Sequence, residues 1–182
     1  MHVTGATTSN IAEVTRYGQL LTKTTIENEI CYESERNATA YCWTASLDLG
    51  ADKNVIWLRN DSRTHFLSIQ KVAMYASAAS PIEIWVGTGN TAGGTVVTGV
   101  NLHVGSGNIA EATCRHTNTN VDAGSGMTLL SSHNVGATNE ESIEYFGALM
   151  LDYLHEIAVN VVSDIALTTV NIIGFFNERI YT

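Results

Sequence analysis

The segment from Gly147 to Arg179, GALMLDYLHEIAVNVVSDIALTTVNIIGFFNER, constrains the fold of this chain more than any other stretch. It holds two runs, His155–Ser163 and Thr168–Asn177, dense in Val, Ile, Thr and Phe and separated by a short polar break. β-Branched and aromatic side chains are stiff at χ1 and fit a pleated, half-buried surface, so both runs predict strands. The last strand is expected inside the fold rather than trailing from it. Together the two runs read as a final hairpin that completes the core of a β-sandwich.

Earlier stretches repeat the pattern. Ala38–Leu49 and Val55–Arg59 read as strands, and Phe66–Ala76 follows with Val72, Met74 and Ala76 on one face. In Ile82–Val86 the residues Ile82, Ile84 and Val86 point one way and Glu83 and Trp85 the other. The only proline, Pro81, stands just before that run, where its missing N–H does least harm. Residues 87–107 carry seven glycines in 21 positions, which predicts tight turns around a short strand at Thr95–Val104. Asn108–His116 is expected to form one or two helical turns, Thr117–Gly126 a loop and Met127–His133 a strand. Val135–Ser142 is expected to be a loop with Glu140 and Glu141 in solvent. Short strands at roughly ten-residue intervals, with no long amphipathic helix, predict an all-β, antiparallel two-sheet sandwich of jelly-roll type. Residues 31–182 form that domain. Residues 1–30 are set apart as an N-terminal arm, its first ten residues small, polar and loosely ordered, and Ile11–Ile30 either part-helical or extended. In that arm Val14, Tyr17, Leu20 and Leu21 are the apolar anchors expected to cross a subunit boundary.

Composition narrows the function classes. Of the 182 residues 45% are apolar, enough for a core, and only 15% are charged, against the usual quarter. The net charge of −9 with nine Lys and Arg disfavours nucleic acid, whose phosphates need clustered cations, and anionic membranes as well. No run of eighteen apolar residues is present to span a bilayer as a helix. The segment MHVTGATTSNIAEVTRYG lacks the basic start and apolar core of a secretory signal. Cys31, Cys42 and Cys114 form no CxxC pair; a Cys31–Cys42 disulfide stays open, with free thiols in a reducing compartment the expectation.

Candidate sites fare poorly against simpler readings. GTGNTAGG (Gly87–Gly94) looks like a phosphate loop, but TVVTGVNL follows it instead of a helix, and no GK[ST] is present. The six histidines lack i, i+4 pairing and HExxH, so neither a metal nor another cofactor is expected. His155 and Glu156, beside Asp152 and Tyr153, would lie on opposite faces of a strand. Cys114 and His116 would point apart on a helical turn, and no GxSxG elbow offers a serine nucleophile. Asn37-Ala38-Thr39 matches a glycosylation sequon by chance. Among the aromatic residues Trp43, Trp57, Trp85, Tyr41 and Tyr75, Trp57 is expected to be buried. Trp85, opposite the apolar face, is the best candidate for a contact outside the sheet, with another subunit or with a glycan.

Three stretches carry a family resemblance: EVTRYGQLLT (Glu13–Thr22), GGTVVTGVNLHVGSGNIAEATCRH (Gly93–His116) and GALMLDYLHEIAVNVVSD (Gly147–Asp164). This layout resembles the jelly-roll decoration and head-fibre type proteins of tailed bacteriophages. The resemblance implies a structural virion protein with no catalytic residue, made in the host cytoplasm and placed on the capsid exterior. It implies a homotrimer that binds the major capsid protein. The alternative function is a carbohydrate-binding module for host-receptor contact; a hydrolase is the third, without a visible nucleophile–base pair.

Overall fold

The computed structural model describes residues 2–4, 11–14, 20–22, 33–49, 53–89, 93–116, 126–163 and 165–178. Three short strands, β1 (His2–Thr4), β2 (Ile11–Val14) and β3 (Leu20–Thr22), form a small antiparallel sheet of their own. A single wide helical turn at Glu33–Asn37 then leads into the main body. Its long strands are β4 (Ala40–Leu49), β5 (Lys53–Asn60), β6 (His65–Ala76), β7 (Ser80–Gly87), β11 (Met127–Val135), β12 (Glu140–Leu151), β13 (Glu156–Val161) and β14 (Ile165–Glu178). Between β7 and β11 lie three short ones, β8 (Thr95–Val96), β9 (Val100–Asn101) and β10 (Ala112–His116). No α-helix occurs among the described residues.

The pairing follows one rule. β4 pairs with β14, β5 with β13, β6 with β12 and β7 with β11, all antiparallel, so the second half of the chain runs back along the first. Rolling that double ribbon adds the contacts β13–β7 and β14–β6 and yields two sheets. Sheet I has the order β11-β7-β13-β5-β10-β8 and sheet II the order β12-β6-β14-β4-β9. The eight long strands thus make the jelly roll expected from the strand rhythm. β13 and β14 do not pair with each other as the expected final hairpin. Each is instead the central strand of a different sheet, the position where both edges are satisfied.

Alternation explains the layers. On β4 the residues Tyr41, Trp43 and Ala45 are buried between the sheets, while Thr44, Ser46 and Asp48 face solvent. Val170 and Ile172 of β14 meet Ile56, Leu58, Ile84 and Val159 in the same core, the arrangement that removes most apolar area from water. Outside sheet II the polar ladder continues, with Thr44 donating to Asn171 at 2.7 Å and Ser46 bonded to Thr169 at 2.8 Å. Trp57 is buried as expected, but on the outer face of sheet I, where it packs with Ala158, Met127 and the partly buried Trp85.

Three local expectations need correction. Ala112–His116 is a strand rather than helical turns, because Ala112–Arg115 pair along β5 and Arg115 and His116 with β8, which gives its backbone partners in both sheet neighbours. Only Thr95–Val96 and Val100–Asn101 of the expected 95–104 strand pair with neighbours, and they join different sheets. The loop expected over 135–142 is shorter, since β12 begins at Glu140.

Candidate functional site

The insertion between β7 and β11 closes one side of the sandwich. β10 extends sheet I beyond β5, and β9 extends sheet II beyond β4. Gly99 anchors it: a Cβ there would stand 2.5 Å from Nε1 of the buried Trp43, so only glycine lets the backbone lie on that indole. The Asn101 side-chain amide donates to the Ala38 carbonyl at 2.7 Å, and Leu102 N–H donates to the Ala40 carbonyl at 2.9 Å. Ala38 itself has φ 51°, a left-handed conformation uncommon for a residue with a Cβ. Beside it Glu33 is buried and accepts from Asn37 Nδ2 at 2.8 Å and Thr39 Oγ1 at 2.7 Å. The amide of the sequon asparagine is therefore engaged within the turn.

Where the insertion meets the sandwich end, Thr39, Tyr41, His65, Asn108, Glu111 and Phe176 line an open cleft of about 240 Å³, with Ile109 on its rim. Its floor is aromatic: the Tyr41 and Phe176 rings lie edge to face at 5.8 Å, and Trp43 follows at 5.8 Å from Tyr41. Burial raises the Tyr41 hydroxyl pKa above its ordinary value, opposed by a hydrogen bond with Asn101 and assisted by the charge of Glu111. From the insertion Val96, Val100, Leu102, Val104 and Ile109 project into solvent, Val104 being 90% and Ile109 83% exposed.

The opposite side of the sandwich ends on two edge strands, β11 and β12. His133 on β11 meets Glu141 on β12 at 3.1 Å, a contact that spans the two sheets. Tyr145 also points inward, and burial raises its hydroxyl pKa, with the Ser131 hydroxyl opposing. Midway along β12 the register breaks: Glu144 is opposite Lys71 and Leu149 opposite Ile69, so residues 145–148 face Gln70 alone. Within the bulge Phe146 has φ 51°, and its ring follows the unbroken alternation of β12 outward, 74% exposed. A bulky residue in the left-handed region stores strain of roughly 1–2 kcal/mol. Leu129, Leu130 and Met150 are exposed on the same pair of strands.

Of the residues singled out in the sequence, Val14 closes β2 and lies opposite Leu20 of β3, with Leu21 opposite Glu13. Their side chains, and Tyr17 altogether, lie outside the described residues, as does Cys31. Trp85 donates its indole N–H to Glu83 Oε2 at 3.0 Å and rests against the Trp57 cluster, so its ring is only partly open. Cys114 and His116, being two apart on a strand, share a face after all; yet the thiol is buried and its pKa is pushed up, which suppresses the nucleophilic thiolate. Cys42 and Cys114 are free thiols. Glu156 is buried and accepts the Trp57 indole N–H at 3.0 Å, while His155 lies before β13 and is exposed; alternation does not separate them, since every residue of β13 from Glu156 to Val161 is buried. No group of three His, Cys, Asp or Glu is placed to hold a metal among the described residues. Phe146 and the cleft escaped sequence reading. The inward alternation Ile143, Tyr145, Leu149, Leu151 would have revealed β12, but not its bulge. No protein-family model, curated protein or solved structure matches this chain.

Proposed function

We propose that this chain is a structural virion protein, a decoration or cement protein on the exterior of a tailed-bacteriophage head. In this reading it is made in the host cytoplasm, assembles as a homo-oligomer, a trimer by the family resemblance, and binds the major capsid protein. One observation carries the proposal. Among the described residues, a well-packed jelly roll presents almost all of its exposed large apolar side chains at its two sides, and one of them, Phe146, sits at a strained left-handed backbone position. Exposed apolar side chains gathered into patches mark surfaces that meet other proteins. The acidic balance of −9 suits a basic capsid patch and a salt-sensitive association rate. Co-sedimentation with heads of the encoding phage, purified without this protein, is the test. Saturable binding supports the proposal, and a protein that stays in the supernatant at every concentration overturns it.

The cleft favours a second reading, glycan contact. Thr39, His65, Asn108 and Glu111 offer hydrogen-bonding groups around an aromatic floor. Glycan-array binding that is lost in Asn108→Ala would support it. Trp85 is the weaker glycan platform, since its N–H is already engaged with Glu83.

A further inference from the structure

We propose that copies of this chain associate head to tail, with Phe146 of one copy seated in the Tyr41–Phe176 cleft of the next. Among the described residues, all the exposed large apolar ones except Leu154 and Val162 fall into two groups. One consists of Val96, Val100, Leu102, Val104 and Ile109 on the insertion; the other lies along the opposite edge, with Leu129 and Leu130 on β11 of sheet I and Phe146 and Met150 on the outer face of β12 of sheet II. Strand order puts these patches at opposite ends of both sheets. A contact between unlike patches uses both on every copy, and such an interface closes into a ring or runs on as a fibre.

Phe146 is the natural knob. It is the exposed aromatic residue of its patch, and aromatic anchors in small pockets carry most of the energy of an interface. The cleft is the natural hole. Its volume of about 240 Å³ is smaller than the usual small-molecule site, and the apolar surface that meets an entering ring is that of Ile109 on the rim, with the Tyr41–Phe176 pair buried beneath. Phe146 cannot reach its own cleft. β6 and β14 separate β12 from β4, about 14 Å across the sheet, and Gln70, opposite the bulge, stands some 17 Å along the strand from His65 at the cleft.

Charge selects the same pairing. Residues 127–155 carry Glu140, Glu141, Glu144 and Asp152 with no Lys or Arg. Residues 93–116 carry one Glu and one Arg together with His103 and His116. Glu144 pairs with Lys71 at 3.3 Å and Glu141 with His133 at 3.1 Å, yet with Lys71 counted the edge keeps an acidic excess and meets less repulsion at the balanced insertion than at a second copy of itself.

The contact rests on the self-association within the proposed function and not on capsid binding. The test is native mass spectrometry of the full chain and two variants, Phe146→Ala and Ile109→Glu, both at exposed positions, with matched circular dichroism as the folding check. The wild type is expected at a multiple of 19.6 kDa. Each variant alone is expected as a single chain, its association weakened about thirty-fold or more. Their equimolar mixture is expected to form a heterodimer and nothing larger, because one Phe146 and one intact cleft remain. A single-chain wild type, variants that assemble like the wild type, or a mixture that stays unassembled overturns the proposal. Assembly without capsid co-sedimentation would remove the virion reading and leave the head-to-tail contact standing. Capsid binding by a protein without this contact would do the reverse.

Discussion

Ile172 and Ile173 stand side by side at the middle of β14, and the fold assigns them opposite environments. Ile172 lies opposite Trp43 and Val72 with its side chain fully buried between the sheets, whereas Ile173 lies opposite Cys42 and Lys71 on the partly exposed outer face of sheet II. Ile172→Ala removes three buried carbons, about 2.4 kcal/mol of transfer free energy at ~0.8 per methylene. The cavity left between two close-packed sheets adds to this and brings the loss to about 3–4 kcal/mol. At about 2–4 °C per kcal/mol for a domain of this size, the melting temperature falls by roughly 6–16 °C. Ile173→Ala removes the same atoms from a half-wet face and leaves no closed cavity, so about 1 kcal/mol and roughly 2–4 °C are expected. Differential scanning calorimetry of the two variants measures both. Equal losses, or a larger loss at Ile173, would refute the register of β14, because a slip by one residue exchanges the two faces.

Further outcomes follow from single positions. Gly99→Ala forces a methyl group onto the Trp43 indole and should lower the melting temperature clearly, while Gly107→Ala, with open space around it, should change it little; equal effects would deny that the insertion is seated on the core. Iodoacetamide applied to the native protein should alkylate half-buried Cys42 well before Cys114, whose burial raises its pKa; peptide mapping that finds both labelled together would contradict this. At position 146 Gly should be more stable than Ala by about 1 kcal/mol in urea unfolding, since the residue sits at positive φ. The usual order, with Ala above Gly, would remove the strain argument.

The strands were legible where period-2 alternation was clean. Ile82, Ile84 and Val86 face the core as their spacing required, and Trp57 is buried as its apolar surroundings implied. Glu140 and Glu141 give the start of β12 the look of a loop, although Ile143, Tyr145, Leu149 and Leu151 continue the inward face. The partners of β13 and β14 were not legible. β14 pairs with β4 across more than a hundred residues, and nothing in the local pattern of Ile165–Glu178 distinguishes a central strand from half of a hairpin. The same limit hid the site. The positive φ of Phe146 arises where β12 falls out of register with β6, although its outward direction follows plain alternation, and the cleft gathers Thr39, His65, Asn108 and Phe176 from four distant parts of the chain. In each case the spacing of residues set the element, and long-range pairing set its use.

On the head-to-tail proposal the chain is a building block whose two sides meet other copies. Native mass spectrometry of the unmodified protein over a range of micromolar concentrations tests it directly. Discrete assemblies at integer multiples of 19.6 kDa, persisting on dilution, are the expected result. A single species of 19.6 kDa at every concentration would contradict it.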